Sequence, residues 1–444
     1  MNSRFITVTG ITLAAIVAAA AMAAPLANFL LPPSNHWLIL APKLAAAVIF
    51  TGSYLALAIG RIPGLAIDRA GIALAGAGLM VASGALPIAD AYKAIDLDTI
   101  TLLLGMMIVV ANLRLSGFFA VATAWVGSRA HRPIALLAVI VASTGLLSAF
   151  LVNDAICLVM APLVLELTLS LGLRPMPYLL AVAMASNIGS VATITGNPQN
   201  IMISSFSRIS YPHFAAALGP IALAGLIITV ALIGFRYRAE FARTAPLPEP
   251  ASPPRAHPAL MNRALLATVA MILLFFAGVA PAKAAIVIGG LLLLTRRLKS
   301  QRIYQEIDWP LLLMFGGLFI IVAGAQHALL TFGVVAAVGR IHLDQVPVLS
   351  LVTAVLSNLV SNVPAVLVLK PFVESLRNHD TAWLTVAMAS TLAGNFTVLG
   401  SIANLIVVQK AGTAGVTISF WDYFKIGAPL TVITLVLGTL WLWR

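Results

Sequence analysis

Apolar runs of about 20 residues, separated by short polar breaks, recur along nearly the whole chain. A helix rises about 1.5 Å per residue, so such a run covers a hydrocarbon layer roughly 30 Å thick. The pattern predicts eleven crossing helices, at 5–31, 37–60, 68–88, 97–127, 177–206, 212–235, 263–280, 282–295, 309–335, 381–408 and 420–442. Two further apolar segments, 134–172 and 346–374, carry Asn, Asp, Pro or Lys in mid-segment and are read as re-entrant hairpins. The expected fold class is an all-α polytopic membrane protein.

Composition agrees with that pattern. Of 444 residues, 61% are hydrophobic and 9% charged, against roughly 25% charged in an ordinary soluble domain. A net charge of +12 is compatible with nucleic-acid binding, but the 26 Lys and Arg fall in short loops between spans, where they act as topology signals. A single cysteine, Cys157, excludes a disulfide framework and a Cys-cluster metal site. No cofactor, metal or nucleic-acid partner is indicated; membrane lipid is the surrounding partner.

With the N-terminus in the cytoplasm, cytoplasmic loops collect 17 Lys and Arg and the opposite face 6, so the positive-inside rule places the C-terminus outside. The expected location is a cell membrane, most simply a bacterial inner membrane. Residues 1–24, with Arg4 and Ala-Met-Ala-Ala before Pro25, also fit a secretory signal, and that alternative stays open. Residues 237–262 hold six prolines among several arginines and read as a flexible cytoplasmic linker.

The two sides of this linker repeat one another. Val182-Ala-Met-Ala-Ser186 recurs as Val386-Ala-Met-Ala-Ser390, Asn153 and Pro162 pair with Asn362 and Pro371, and Ile95-Asp96 pairs with Ile307-Asp308. Five crossings separate the helix starting at 97 from that starting at 309, so the copies face opposite ways: an inverted repeat. This count takes 263–306 as a connecting hairpin, because a single crossing there would put the basic cluster Arg296 to Lys299 outside. The predicted organisation is N-terminal helices 1–94, first repeat 95–236 (hairpin 134–172, broken helix 177–206), linker 237–262, connecting hairpin 263–306, and second repeat 307–444 (hairpin 346–374, broken helix 381–408).

Helices broken at matching places in two inverted halves point to a carrier's central site, because irregular backbone survives in a membrane where it lines a cavity or is buried in protein. The candidates are Asn153 and Asp154 at the first hairpin tip, Ser361 and Asn362 at the second, Thr195, Gly196, Asn197 and Asn200 in the first broken helix, and Gly400, Ser401 and Asn404 in the second. Asp154 is the only carboxylate at a tip and is read as proton carrier or cation ligand, against a structural hydrogen-bonding role. The asparagines divide between solute contact and helix capping; the glycines shape the site through close packing. Cys157 is read as a small buried hydrophobe.

Gly394-Asn-Phe-Thr-Val-Leu-Gly-Ser-Ile-Ala-Asn404 resembles the Gly-Ser-x-Ala-Asn stretch of arsenical pump membrane proteins. Gly189 to Asn200 is similar to the Gly-x-Pro-x-Asn broken helix of the ion transporter superfamily. The resemblance covers about 95–440 and is closest to the arsenite permease and sodium/proton antiporter branch. The tips Val152-Asn-Asp154 and Ser361-Asn-Val363 depart from the superfamily's Ser-Asn-Thr signatures: only Asn153, Asn362 and Ser361 carry over. The resemblance implies a scaffold, a moving transport domain and elevator-like motion.

The function expected is secondary active export of arsenite or antimonite, coupled to protons through Asp154. Arsenite near neutral pH is mostly uncharged As(OH)3, which asks for hydroxyl and amide partners. The alternatives are a sodium- or proton-coupled anion carrier of dicarboxylate or sulfate type and a sodium/proton antiporter. An enzyme is not expected, since HExxH and GxSG motifs are absent. A P-loop is absent too, so energy comes from gradients or membrane potential, unless a separate ATPase subunit docks on the cytoplasmic face.

Overall fold

A computed structural model of the chain describes residues 37–59, 65–129, 132–242, 256–294, 298–329 and 341–444, together with Ala19. The expected helix at 5–31 otherwise lies outside the described residues, as do the proline-rich stretch 243–255 and the end of the 309–335 span. Among the described residues every regular element is helical. Eight of the described helices are long and apolar enough to cross a membrane: Leu40–Ile59, Leu97–Leu115, Pro133–Phe150, Asn153–Ser170, Tyr211–Arg236, Pro258–Phe276, Trp309–Leu329 and Phe420–Leu442. Shorter apolar helices occupy Arg69–Ala82, Pro281–Leu293, Val346–Val360 and Asn362–Val373.

The helix expected at 68–88 stops at Ala82, with a separate helix at Ile88–Ala94, and a second element departs from the hydrophobic pattern as well. The stretch read as one helix over 97–127 is two, Leu97–Leu115 and Phe118–Arg129. The break falls at Gly117, whose φ of 85° suits a residue without a Cβ. The preceding carbonyl, of Ser116, turns away from the helix and accepts from the amide of His257 at 3.0 Å. An apolar run has no mark for this corner except the Ser-Gly pair itself.

The first hairpin segment forms Pro133–Phe150 and Asn153–Ser170, packed side by side and joined through extended backbone at Leu151, φ −127°, ψ 141°. Each arm has 18 residues, about 27 Å at the helical rise. A pair of this kind goes in and comes out, so it leaves the parity of crossings unchanged. The second hairpin segment forms Val346–Val360 and Asn362–Val373, joined by the single residue Ser361 at φ 79°, ψ 159°. That backbone region belongs essentially to glycine. Ser361→Gly is therefore expected to raise stability by about 1 kcal/mol and Ser361→Val to lower it, as read by thermal unfolding in detergent.

The chain divides into two compact units. The first comprises Met1–Ile100, Asp308–Leu343 and Leu359–Ser375. Within it, Trp309–Leu329 packs on Arg69–Ala82, on Trp37–Ile59 and on the arm Asn362–Val373. A Cβ on Gly317 would sit 2.6 Å from the Ala73 carbonyl carbon, so the glycine lets two helix backbones nearly touch. The phenol of Tyr54 donates to the Pro364 carbonyl at 3.4 Å, fixing the start of the arm.

The second unit comprises Thr101–Ile307, Asp344–Asn358 and Leu376–Arg444. It contains both broken helices, the whole first hairpin and the first arm of the second. The helices Pro258–Phe276 and Pro281–Leu293 pack against one another, and Arg263 donates to the Leu291 and Leu294 carbonyls at 2.5 and 2.9 Å, closing the far end of that pair. Arg114, at the end of its helix, is paired with Glu306 at 2.5 Å.

Candidate functional site

The first broken helix runs Pro175–Ser190, a 3-10 turn at Ile194–Gly196, then Pro198–Ser207. The second runs His379–Ala393, a 3-10 turn at Val398–Gly400, then Ile402–Thr413. Pro198 has no amide hydrogen and forces its predecessor into extended backbone, which explains the first break. The second reaches the same geometry without proline. Thr193 and Thr397 have φ, ψ of −140°, 167° and −134°, 165°, and the next caps, Asn197 and Ser401, are extended too, at −155°, 162° and −144°, 145°.

A break in a helix frees carbonyls that must find donors. In the first copy Asn200 supplies them, its amide nitrogen donating to Ser190 O at 3.1 Å and Thr193 O at 3.0 Å. In the second, Asn404 does the same for Gly394 O at 2.7 Å and Thr397 O at 3.2 Å. These six positions correspond at a constant offset of 204. Gly196 and Gly400 let each turn fold back: a Cβ would lie 2.8 Å from the Ser190 carbonyl carbon in one case and 2.8 Å from Gly394 O in the other.

The halves pair crosswise. Ile402–Thr413 packs on Pro175–Ser190, and Pro198–Ser207 packs on His379–Ala393. The crossing is lined by buried neutral polar groups. Asn187 donates to Asn395 Oδ1 at 2.8 Å and Asn404 Oδ1 at 3.0 Å, and accepts from Ser401 Oγ at 3.0 Å. In the corresponding place Thr391 Oγ1 accepts from Asn197 at 3.2 Å and Gln199 at 3.0 Å. The first hairpin joins this network: Asn153 donates to Asn187 Oδ1 at 3.1 Å, Ser148 donates to Ser186 at 3.1 Å, and Ser186 donates to the Asn153 carbonyl at 3.1 Å. Thr195 meets Tyr211 OH at 2.8 Å, and Thr193 donates to the Ala149 carbonyl.

The bonds themselves fix which end of each amide is which. Asn404 must turn its nitrogen to the Gly394 and Thr397 carbonyls, so its oxygen faces Asn187. Asn187 therefore presents nitrogen to Asn404 and oxygen to Ser401 and Asn153. Asn153 must then donate with its nitrogen, and its Oδ1 is left buried without a partner. Asn200 likewise spends its nitrogen on two carbonyls and keeps a buried, unpartnered Oδ1. Each such group costs about 1–3 kcal/mol while it stays empty. Both of these atoms are acceptors.

Asp154 follows Asn153 in the first turn of its helix and is half-buried, where the positive helix end stabilises a carboxylate. Cys157 is buried and free. Of the sequence-derived candidates, Asn153, Asp154, Thr195, Gly196, Asn197, Asn200, Gly400, Ser401 and Asn404 all belong to the second unit. Ser361 and Asn362 belong to the first, where Asn362 Oδ1 is also buried and unpartnered.

The comparisons with known proteins bear on this geometry. The model of the family "CitMHS: Citrate transporter" matches residues 45–393. The chain belongs to this citrate transporter family. An uncharacterized transporter of Mycobacterium tuberculosis is 30% identical over 90% of this chain and 98% of its own length. A silicon efflux transporter of Oryza sativa subsp. japonica is 29% identical over 89% of this chain and 97% of its own. A putative arsB transporter of Dictyostelium discoideum is 22% identical over 84% and 87%. The solved YdaH transporter of Alcanivorax borkumensis has a TM-score of 0.58 over 90% of this chain and 97% of its own, at 14% identity, a likeness of fold.

In this CitMHS family member, sequence reasoning left out Asn187, Thr391, Asn395 and Gln199, on which the crossing depends. A signal was present. Asn187 and Thr391 each follow the repeated Val-Ala-Met-Ala-Ser, and a polar residue at one register of both copies of an apolar helix asks for a partner across the repeat.

Proposed function

We propose that this membrane transporter exports small, uncharged, hydroxylated metalloid acids, arsenite and antimonite first among them, against inward proton flow. The observation that carries the reading is the pair of empty acceptors, Asn153 Oδ1 and Asn200 Oδ1, in a network whose other members are all neutral. A solute such as As(OH)3 brings O–H donors, which these oxygens lack. A carboxylate brings acceptors alone, which neither of these two oxygens can satisfy. Silicic acid, Si(OH)4, has the same chemistry, and one relative is named for silicon efflux.

Asp154, beside Asn153, is the group assigned to carry the proton, so that release of solute and protonation of the carboxylate alternate. The crosswise packing of half-helices supports two oppositely inserted repeats: two aligned copies would pack first half on first half. The proposed setting is a bacterial inner membrane with the N-terminus in the cytoplasm.

Everted vesicles measure this directly. A pH gradient, acid inside, is expected to drive arsenite accumulation, and Asp154→Asn to lower that accumulation at least about tenfold while leaving solute binding in place. The reading falls if the purified protein in liposomes neither binds nor moves arsenite or antimonite. A second reading is favoured by the family's name: a cation-coupled carrier of a small carboxylate, with the empty acceptors holding the cation. Sodium-dependent uptake of citrate without arsenite transport would establish it.

A further inference from the structure

Buried side-chain oxygens without a partner are not spread evenly over the described residues. Four of the eight atoms lie on one helix, Val346–Val360: Ser350 Oγ, Thr353 Oγ1, Ser357 Oγ and Asn358 Oδ1. The three hydroxyl residues are spaced by three and four, so they form one face, running about 10 Å along the axis. They are buried, at 4%, 0% and 1% exposure. On the opposite face Leu351, Val355 and Leu359 are 66%, 52% and 64% exposed, the side that meets lipid. This helix keeps its apolar face outside and an unsatisfied polar face inside.

A helical threonine has an easy way to satisfy itself, by donating to the carbonyl one turn back. Thr168, Thr229, Thr268, Thr385 and Thr434 all do so, at 2.7–2.8 Å. Thr353 does not. The end of the row reaches the second break: Asn358, next to Ser357, donates to the Ala393 carbonyl at 3.0 Å, and its oxygen lies 3.2 Å from where a Cβ on Gly400 would be. In the first repeat the same register holds Val141, Thr144 and Ser148, at an offset of 209. There the row is shorter and Ser148 is already bonded to Ser186. Thr144 Oγ1 is also buried without a partner, so what distinguishes the second hairpin arm is the full row of three hydroxyls.

We infer that Ser350, Thr353 and Ser357 form one wall of the route by which water and a hydroxylated solute reach the break at Thr397–Ser401, buried in the conformation seen here and wetted when the carrier opens. The solute class rests on the proposed function; the route does not. In a Cys157→Ala background, single variants Ser350→Cys, Thr353→Cys and Ser357→Cys are treated in membrane vesicles of both orientations with a charged, water-soluble methanethiosulfonate reagent. Labelling at Thr353→Cys and Ser357→Cys is expected to be at least about tenfold faster than at Leu351→Cys and Val355→Cys, in one orientation or both. Rates no faster than at the lipid-facing positions would overturn the inference.

Thr353→Val keeps the shape of the side chain and removes the hydroxyl alone. It is expected to slow arsenite flux several-fold with unchanged or raised thermal stability; unchanged flux counts against the route. Because labelling needs no solute, the readings separate. Fast labelling without arsenite transport leaves the route standing and removes the substrate assignment, whereas arsenite transport with slow labelling does the reverse.

Discussion

Asn187→Leu is expected to destabilise the protein by about 2–6 kcal/mol and to abolish transport. Leucine keeps the heavy-atom branching of asparagine, so the loss comes chiefly from bonding. The change strands Asn153 Nδ2 and Asn404 Oδ1, takes the acceptor from Ser401 Oγ, which still accepts from the Ala403 amide at 3.2 Å, and removes one of two donors to Asn395 Oδ1, which keeps Tyr423 at 3.3 Å. A buried group left without its partner costs about 1–3 kcal/mol, which for the two groups stranded outright gives the range. The measurement is thermal unfolding of the detergent-purified protein beside vesicle transport. Asn187→Asp is the informative companion: it keeps the acceptor for Asn153 and Ser401 but loses the donor to Asn395 and Asn404, so it should recover only part of the stability. If Asn187→Leu unfolds at the same temperature as the wild type, the network does not hold the broken helices together.

The second large effect is at the turn. In Gly196→Val the new Cβ would lie 2.7 Å from Ser190 Cα and 2.8 Å from its carbonyl carbon. These are backbone atoms and cannot rotate aside, and the carbonyl concerned is one that Asn197 and Asn200 both bind. The expected cost is about 3 kcal/mol or more, above the usual range for overpacking because the obstacle is main chain. Gly290→Ala and Gly412→Ala are the controls. Both glycines sit in helices with nothing within 4 Å of the added atom, so alanine should be neutral or stabilising by about 0.4–1 kcal/mol. Equal unfolding temperatures for Gly196→Val and the controls would show that the fold-back is not tight.

Much of this was legible in the sequence, and for identifiable reasons. A polar interruption in a 30-residue apolar run has few explanations in lipid, so Gly196-Asn197-Pro198 and Gly400-Ser401 stood out as breaks, and both are 3-10 turns followed by a capped helix. Membership in a transporter family agrees with the resemblance drawn from those stretches. What could not be read was the division of labour within an amide. Asn200 and Asn404 look alike in sequence and stitch their breaks alike, yet Asn404 has both ends engaged while Asn200 keeps one oxygen empty. That difference depends on whether residue 187 or 391 stands opposite, 217 and 191 positions away. Nor does hydropathy separate a threonine bonded to its own helix from one that is not; Thr168 and Thr353 differ only in three dimensions.

The crosswise bonds also govern how the protein is made. Asn187 enters the membrane early in translation, but Asn395, Ser401 and Asn404 are made some 200 residues later, and Thr391 finds Asn197 and Gln199 only when the late half docks on the early one. A nascent chain halted at the proline-rich linker carries an unsatisfied amide inside lipid, the kind of defect that membrane quality control removes. Neither half is then a finished piece, and co-expressed fragments cut within the linker should accumulate only together.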